Sequence, residues 1–129
     1  GMKLWLPDSH LFHFSVCTAT RKELQTAVQA CIDFSSVDDF SNGPTGPIGE
    51  WDVSAVTNMS KIFSGSKFFN SDISKWDVSR AMNMQFMFSG TASFNIDISK
   101  WDVSRVTDMT QMLSGVTSFT QNPLWNCLD

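Results

Sequence analysis

The sequence predicts an α/β solenoid. Its 25-residue units would each hold a short helix or helical turn followed by a strand, the strands aligned in a short parallel sheet, with a capping helix in front. Three observations predict it. A 25-residue period runs without insertion from Trp51 through Trp76 to Trp101. The first two copies, WDVSAVTNMSKIFSGSKFFNSDISK and WDVSRAMNMQFMFSGTASFNIDISK, are identical at 15 of 25 positions. Within each copy the apolar residues change from helical spacing to alternation. Periods of roughly 20–50 residues mark repeat architectures, whose units bury their apolar faces on one another.

Residues 2–50 lie outside the strict repeat and read as an N-terminal capping region. LFHFSV alternates in part and suits a short strand. A helix is expected from about Thr20 to Ile32. Thr20 and Glu23 have capping-box spacing, and Leu24, Ala27, Val28 and Cys31 make one apolar stripe. SSVDDFSNGPTGP then interrupts regular structure. Ile48 stands 25 residues before Ile73, so a partial repeat begins there.

The repeat region, 51–129, divides into 51–75, 76–100 and 101–125. In the first copy Ser54 suits a helix N-cap. Val56, Met59, Ile62 and Phe63 follow at helical spacing, and Gly65 stands where a left-handed terminal residue is wanted. FNSDISKW then reads as a strand with Phe69 and Ile73 inward and Asn70, Asp72 and Ser74 outward. The second copy repeats this with Ser79, Met84, Met87, Phe88 and Gly90, the third with Ser104, Val106, Met109, Met112, Leu113 and Gly115. The third then decays: Asn122, Pro123 and Asn126 replace Asp97, Ile98 and Trp101. Proline donates no hydrogen bond, so a degenerate C-terminal cap is expected, with Trp125 and Leu128 over the end.

Bulk properties narrow the function. At 129 residues and 42% apolar content the chain suits one modest domain. Its net charge is −4, and the acidic excess sits in the first fifty residues (Asp8, Glu23, Asp33, Asp38, Asp39 and Glu50 against Lys3, Arg21 and Lys22). The absence of a basic patch argues against nucleic acid and anionic lipid. No apolar run approaches the roughly 18 residues of a membrane span, and the opening segment lacks the pattern of a secretory signal. Cys17, Cys31 and Cys127 are odd in number and form no CxxC, so buried thiols are expected rather than a disulfide framework. His10, His13 and Cys17 are too few for a metal site. SGS and SGT read as helix ends, not phosphate loops. No catalytic constellation stands out, and no cofactor is expected.

The pattern WDVSxVTxMxxMFSGxxxFNxDISxW resembles the repeat of BspA-like leucine-rich-repeat surface proteins, also known as a Mycoplasma-lipoprotein-type domain of unknown function. The likeness covers about Ile48 to Phe119, and RKELQTAVQACID with GPIGEW resembles the usual lead-in. It implies a right-handed, leucine-rich-repeat-like superhelix, a surface or secreted setting, and adhesion or protein recognition. It supplies no catalytic residues.

Several periodic features are candidates for binding. Asp72 and Asp97 form one row, Asn70 and Asn95 a second, and Ser74 and Ser99 a third. Equal polar groups about 4.8 Å apart suit a glycan or a cation; the plainer reading is that they cap local turns. Asp52, Asp77 and Asp102 are expected near helix N-termini, where negative charge is favoured. Trp51, Trp76 and Trp101 are expected to pack, with sugar stacking as the alternative. Lys75 and Lys100 suit a solvated face. Phe86 stands where its equivalents are Lys61 and Gln111, and an exposed phenylalanine there would be a contact. The function expected is non-enzymatic binding of an extracellular protein or glycan. The alternative is a structural unit that stacks through its ends, so the chain is expected as a monomer or an end-to-end dimer.

Overall fold

The computed structural model describes residues 3–5, 15–34 and 46–121. Two short strands, β1 (Lys3–Trp5) and β2 (Ser15–Cys17), pair antiparallel, with Leu4 opposite Val16. The strand expected over LFHFSV thus begins at its last two residues, the others lying outside the described residues. The helix α1 spans Arg21–Phe34. Its start follows from the capping box. The Glu23 amide donates to the Thr20 hydroxyl at 3.2 Å, and the amides of Thr20 and Ala19 donate to Glu23 Oε1 at 3.0 and 2.9 Å. Those contacts satisfy donors that a helix start leaves over. The apolar stripe Leu24, Ala27, Val28 and Cys31 is buried as its spacing requires. No described helix is long and apolar enough to cross a membrane.

The repeats correct the expected fold class. Residues 51–121 hold neither helix nor strand, and the only sheet among the described residues is the β1–β2 pair. The expected α/β solenoid, with a parallel sheet and one helix or helical turn per copy, is therefore overturned. Each copy is instead a chain of tight turns. What remains of parallel pairing among the described residues is three isolated bridges, Cys17 to Asp52, Asn58 to Asn83 and Asn83 to Asp108, outside the segment expected as a strand.

The reason lies in where the amides go. In a helix over 54–64 they would bond four residues back. Here the amides of Met59, Lys61, Phe63 and Gly65 donate to the carbonyls of Asn83, Gln85, Met87 and Ser89, at 2.8–3.0 Å. The second copy repeats this toward the third: Met84, Phe86, Phe88 and Gly90 donate to Asp108, Thr110, Met112 and Ser114. Lys61, Phe86 and Gln111 adopt φ of 61°, 56° and 49°, which breaks any helix at its middle. The glycines do take the left-handed conformation, with φ of 80°, 76° and 75° at Gly65, Gly90 and Gly115.

The expected strand is displaced by side chains. Asp72 Oδ1 accepts the Ser74 amide, and Asn70 Oδ1 accepts the Asn95 amide, so these donors are unavailable for a backbone ladder. Turns at Ser66–Phe69 and Ile73–Trp76 bend the rest. The inward assignment nevertheless holds: Phe69, Ile73, Phe94 and Ile98 are all buried.

The core is an aromatic column flanked by methionines. Phe63 stacks on Phe69 at 4.1 Å, and Phe88 on Phe94 at 4.1 Å. Between copies, Phe63 meets Phe88 at 5.6 Å, while Phe69, Phe94 and Phe119 follow at 5.9 Å each. Such parallel rings add about 0.5–1.5 kcal/mol per pair beyond their burial. Each tryptophan indole that has a copy in front of it reaches back 28 residues: Trp76 donates to the Ile48 carbonyl at 2.8 Å, Trp101 to that of Ile73 at 3.2 Å. Trp51 is buried with its Nε1 unmatched, because the position 28 residues earlier lies inside α1.

Candidate functional site

The polar rows are built by one local device. An aspartate or asparagine accepts the amide two residues on, closing an Asx turn. Asp72 Oδ1 takes the Ser74 amide at 2.9 Å and hydroxyl at 2.6 Å, and Asp97 Oδ1 takes the Ser99 amide at 3.0 Å. Asp52, Asp77 and Asp102 do the same with Ser54, Ser79 and Ser104. Asn58, Asn83 and Asp108 form a third row, serving Ser60, Gln85 and Thr110. The Asp52 row therefore caps turns, not helix N-termini, since there are no helices there to cap.

These contacts set the charge. The Ser74 hydroxyl, then the Ser74 amide, hold the Asp72 carboxyl below the usual carboxylate range, and Ser99 does so for Asp97. Lys75 and Lys100 add a smaller through-space pull. Asp77 is lowered by Ser79 in the same way, with slight opposition from Asp52 one copy away. The Asp72–Asp97 and Asp52–Asp77–Asp102 rows are thus anionic at neutral pH. Each of Asp72 and Asp97 commits Oδ1 to its turn; Oδ2 accepts no hydrogen bond among the described residues.

The asparagine row works differently. Asn70 Oδ1 accepts the Asn95 amide at 2.7 Å, and Asn95 Oδ1 accepts the Thr120 amide at 2.8 Å. Asn70 and Asn95 therefore clamp successive copies together. Ser74 is half-buried and Ser99 exposed, both turned toward their aspartates. Phe86 is half-buried instead of fully exposed, and Lys61 Nζ lies 5.8 Å from its ring centroid. Placing a cation over the ring face adds weak attraction at an exposed site. Phe68 and Met82 are the large apolar residues that stand out instead, 60% and 52% exposed. Trp51, Trp76 and Trp101 are buried and offer no stacking surface to a sugar.

Sequence reasoning missed the left-handed column Lys61–Phe86–Gln111. Nothing in those three unlike residues signals a positive φ, and only the glycine column announced its own. Burial differs along the stack. The first copy is closed, with Val53, Val56, Met59, Ile62 and Phe63 all buried. In the third copy Val103, Val106, Met109 and Leu113 are only partly buried, while Met112, the counterpart of Ile62, is fully buried.

Cys17 is exposed, its thiol donating toward Asp52 Oδ2 at 3.6 Å, and Cys31 is buried. Cys127, His10, His13 and the cap expected from Trp125 and Leu128 lie outside the described residues. No group of three or more His, Cys, Asp or Glu that could hold a metal occurs among the described residues. No curated protein and no solved structure gives a match to the chain. One family profile does match, over residues 23–127, taking in α1 from Glu23 onward and all three copies, and the chain therefore belongs to the family described as Mycoplasma protein of unknown function, DUF285.

Proposed function

We propose that the chain is a non-enzymatic binding module, acting in a surface or secreted setting, that recognises an extracellular protein or glycan. The observation that carries this reading is the repeated carboxylate row. Asp72 and Asp97 are exposed, ionised and fixed in the same turn one repeat apart, each with Oδ2 left for a ligand. The turns remove the conformational freedom that a flexible carboxylate loses on binding, so a ligand with regularly spaced donors meets a preorganised surface. The resemblance of the repeat to BspA-like surface proteins supports the setting and the class of ligand.

The test is a screen against arrayed glycans and extracellular-matrix proteins, run beside the Asp72→Asn/Asp97→Asn double variant. Asparagine keeps the turn acceptor, as Asn58 and Asn83 do, and removes the charge. Binding by the parent that weakens at least about tenfold in the variant, roughly 1.4 kcal/mol, supports the reading. No ligand, or one that the variant retains in full, overturns the role of the row.

A further inference from the structure

We infer that Asn58 is an acceptor site for an N-linked glycan, modified when the chain enters a secretory compartment. The inference rests on the surface or secreted setting proposed above and is independent of the aspartate row.

The first observation is chemical. N-linked modification needs an asparagine amide with a serine or threonine hydroxyl two residues on. That pattern occurs once in the 129 residues, at Asn58, Met59 and Ser60. The repeat comes close to it elsewhere. Eight turns among the described residues are closed by an aspartate or asparagine oxygen that accepts the amide two residues on. Six of them, at Asp52, Asp72, Asp77, Asp97, Asp102 and Asp108, have the hydroxyl but carry a carboxylate where the amide is needed. The turn at Asn83 has the amide but ends on Gln85, which has no hydroxyl. Only the turn at Asn58 carries both groups.

The second observation is that both groups are available there. Asn58 is exposed, its Oδ1 accepts the Ser60 amide at 2.9 Å, and its Nδ2 makes no hydrogen bond among the described residues. In the aspartate turns the hydroxyls of Ser54, Ser74 and Ser79 each donate to the carboxylate at 2.6 Å. The Ser60 hydroxyl makes no such bond.

The third observation is that the turn is held from beneath. Met59 is fully buried, and its amide donates to the Asn83 carbonyl at 2.8 Å. Arg21 Nε donates to the Ser60 carbonyl at 2.6 Å. None of these contacts uses Nδ2, so a substituent there displaces nothing that holds the coil.

The step balances without a redox partner. Asn58 Nδ2 attacks the anomeric carbon of an oligosaccharide carried on a lipid pyrophosphate. The C–N bond forms, the bond from that carbon to the pyrophosphate oxygen breaks, and the lipid pyrophosphate leaves. One Nδ2 proton passes to a base of the transferase.

The experiment is cell-free synthesis of the full chain behind a cleavable signal sequence, with microsomal vesicles that supply the transferase and its lipid-linked oligosaccharide. The parent should gain one glycan, read as a slower gel band that peptide-N-glycosidase removes and that peptide mapping places on Asn58. Ser60→Ala keeps the amide that closes the turn and should lose the band, whereas Ser60→Thr should retain it. Pulse proteolysis in urea should give the glycosylated parent and unmodified Ser60→Ala the same unfolding midpoint. An unmodified parent, the same band in Ser60→Ala, or a midpoint lowered by the glycan would each overturn the inference. Because the vesicles supply the compartment, such a failure counts against Asn58 and not against the binding reading. That reading fails in its own assay, through ligand binding that ignores Asp72 and Asp97.

Discussion

At the residue scale the molecule is governed by one choice, made repeatedly, between backbone and side-chain partners. Asp52, Asp72, Asp77, Asp97, Asp102 and Asp108 all have their carboxyls lowered, chiefly by the serine or threonine hydroxyl two residues on and then by its amide. The unfolded chain lacks these donors, so near the unfolded value of about 3.9 it binds more protons than the folded one. The sign follows: the contribution is fully present above that value and is lost as pH falls through the lower folded values. Urea unfolding should therefore show a midpoint that is flat from neutral pH to about pH 5 and falls steeply below about pH 4. Replacing Asp52, Asp77 and Asp102 together by asparagine should keep the turns, as Asn58 and Asn83 show, and flatten the acid slope. A variant as acid-sensitive as the parent would show that other groups control the transition.

At the element scale, the turns that join coils leave little room. An added Cβ on Gly49 would lie 2.5 Å from the backbone carbonyl oxygen of Asp72, whereas one on Gly65 meets nothing within 4 Å. Gly65 is needed for its φ of 80° alone. Gly65→Ala should then cost about 1 kcal/mol, the left-handed penalty less the gain in chain stiffness. Gly49→Ala should cost more, about 1–3 kcal/mol, because backbone must move. Chemical denaturation checks this, and the reverse order would mean the Gly49–Asp72 approach is slack. The same scale shows what could be read in advance. The α1 capping box and stripe were legible because helix signals are local and Thr20, Glu23 and Leu24 obey them. The inward set Phe69, Ile73, Phe94 and Ile98 was legible because burial follows parity whether the backbone is strand or turn. Coil conformation was not legible. Val56, Met59, Ile62 and Phe63 fit a helical template, yet a coil that returns to the core at each turn gives the same spacing. The tie is broken by amides of one copy reaching the next, a non-local term. The site was half legible: spacing placed Asp72 and Asp97 in one row, but that Asn70 and Asn95 bond copy to copy depends on stacking.

At the scale of the whole molecule, stability should be graded along the stack, because burial is. The α1 stripe shares one core with the first copy, the middle copy's inward residues are fully buried, and most of the third copy's are only partly buried. Equivalent methionines make the comparison clean, since Met84 is fully buried while Met109, one repeat on, is half-buried. Met84→Ala removes a side chain packed all round and should cost about 2–5 kcal/mol by lost transfer and cavity formation. Set against a typical total of about 5–15 kcal/mol, that is a large share of the fold. Met109→Ala should cost less than half as much, because the site can relax toward solvent and less apolar area is uncovered. The measurement is the urea midpoint at constant m, which reports stability when the surface exposed on unfolding is unchanged. Equal losses at the two positions would mean that the third copy is packed as tightly as the second.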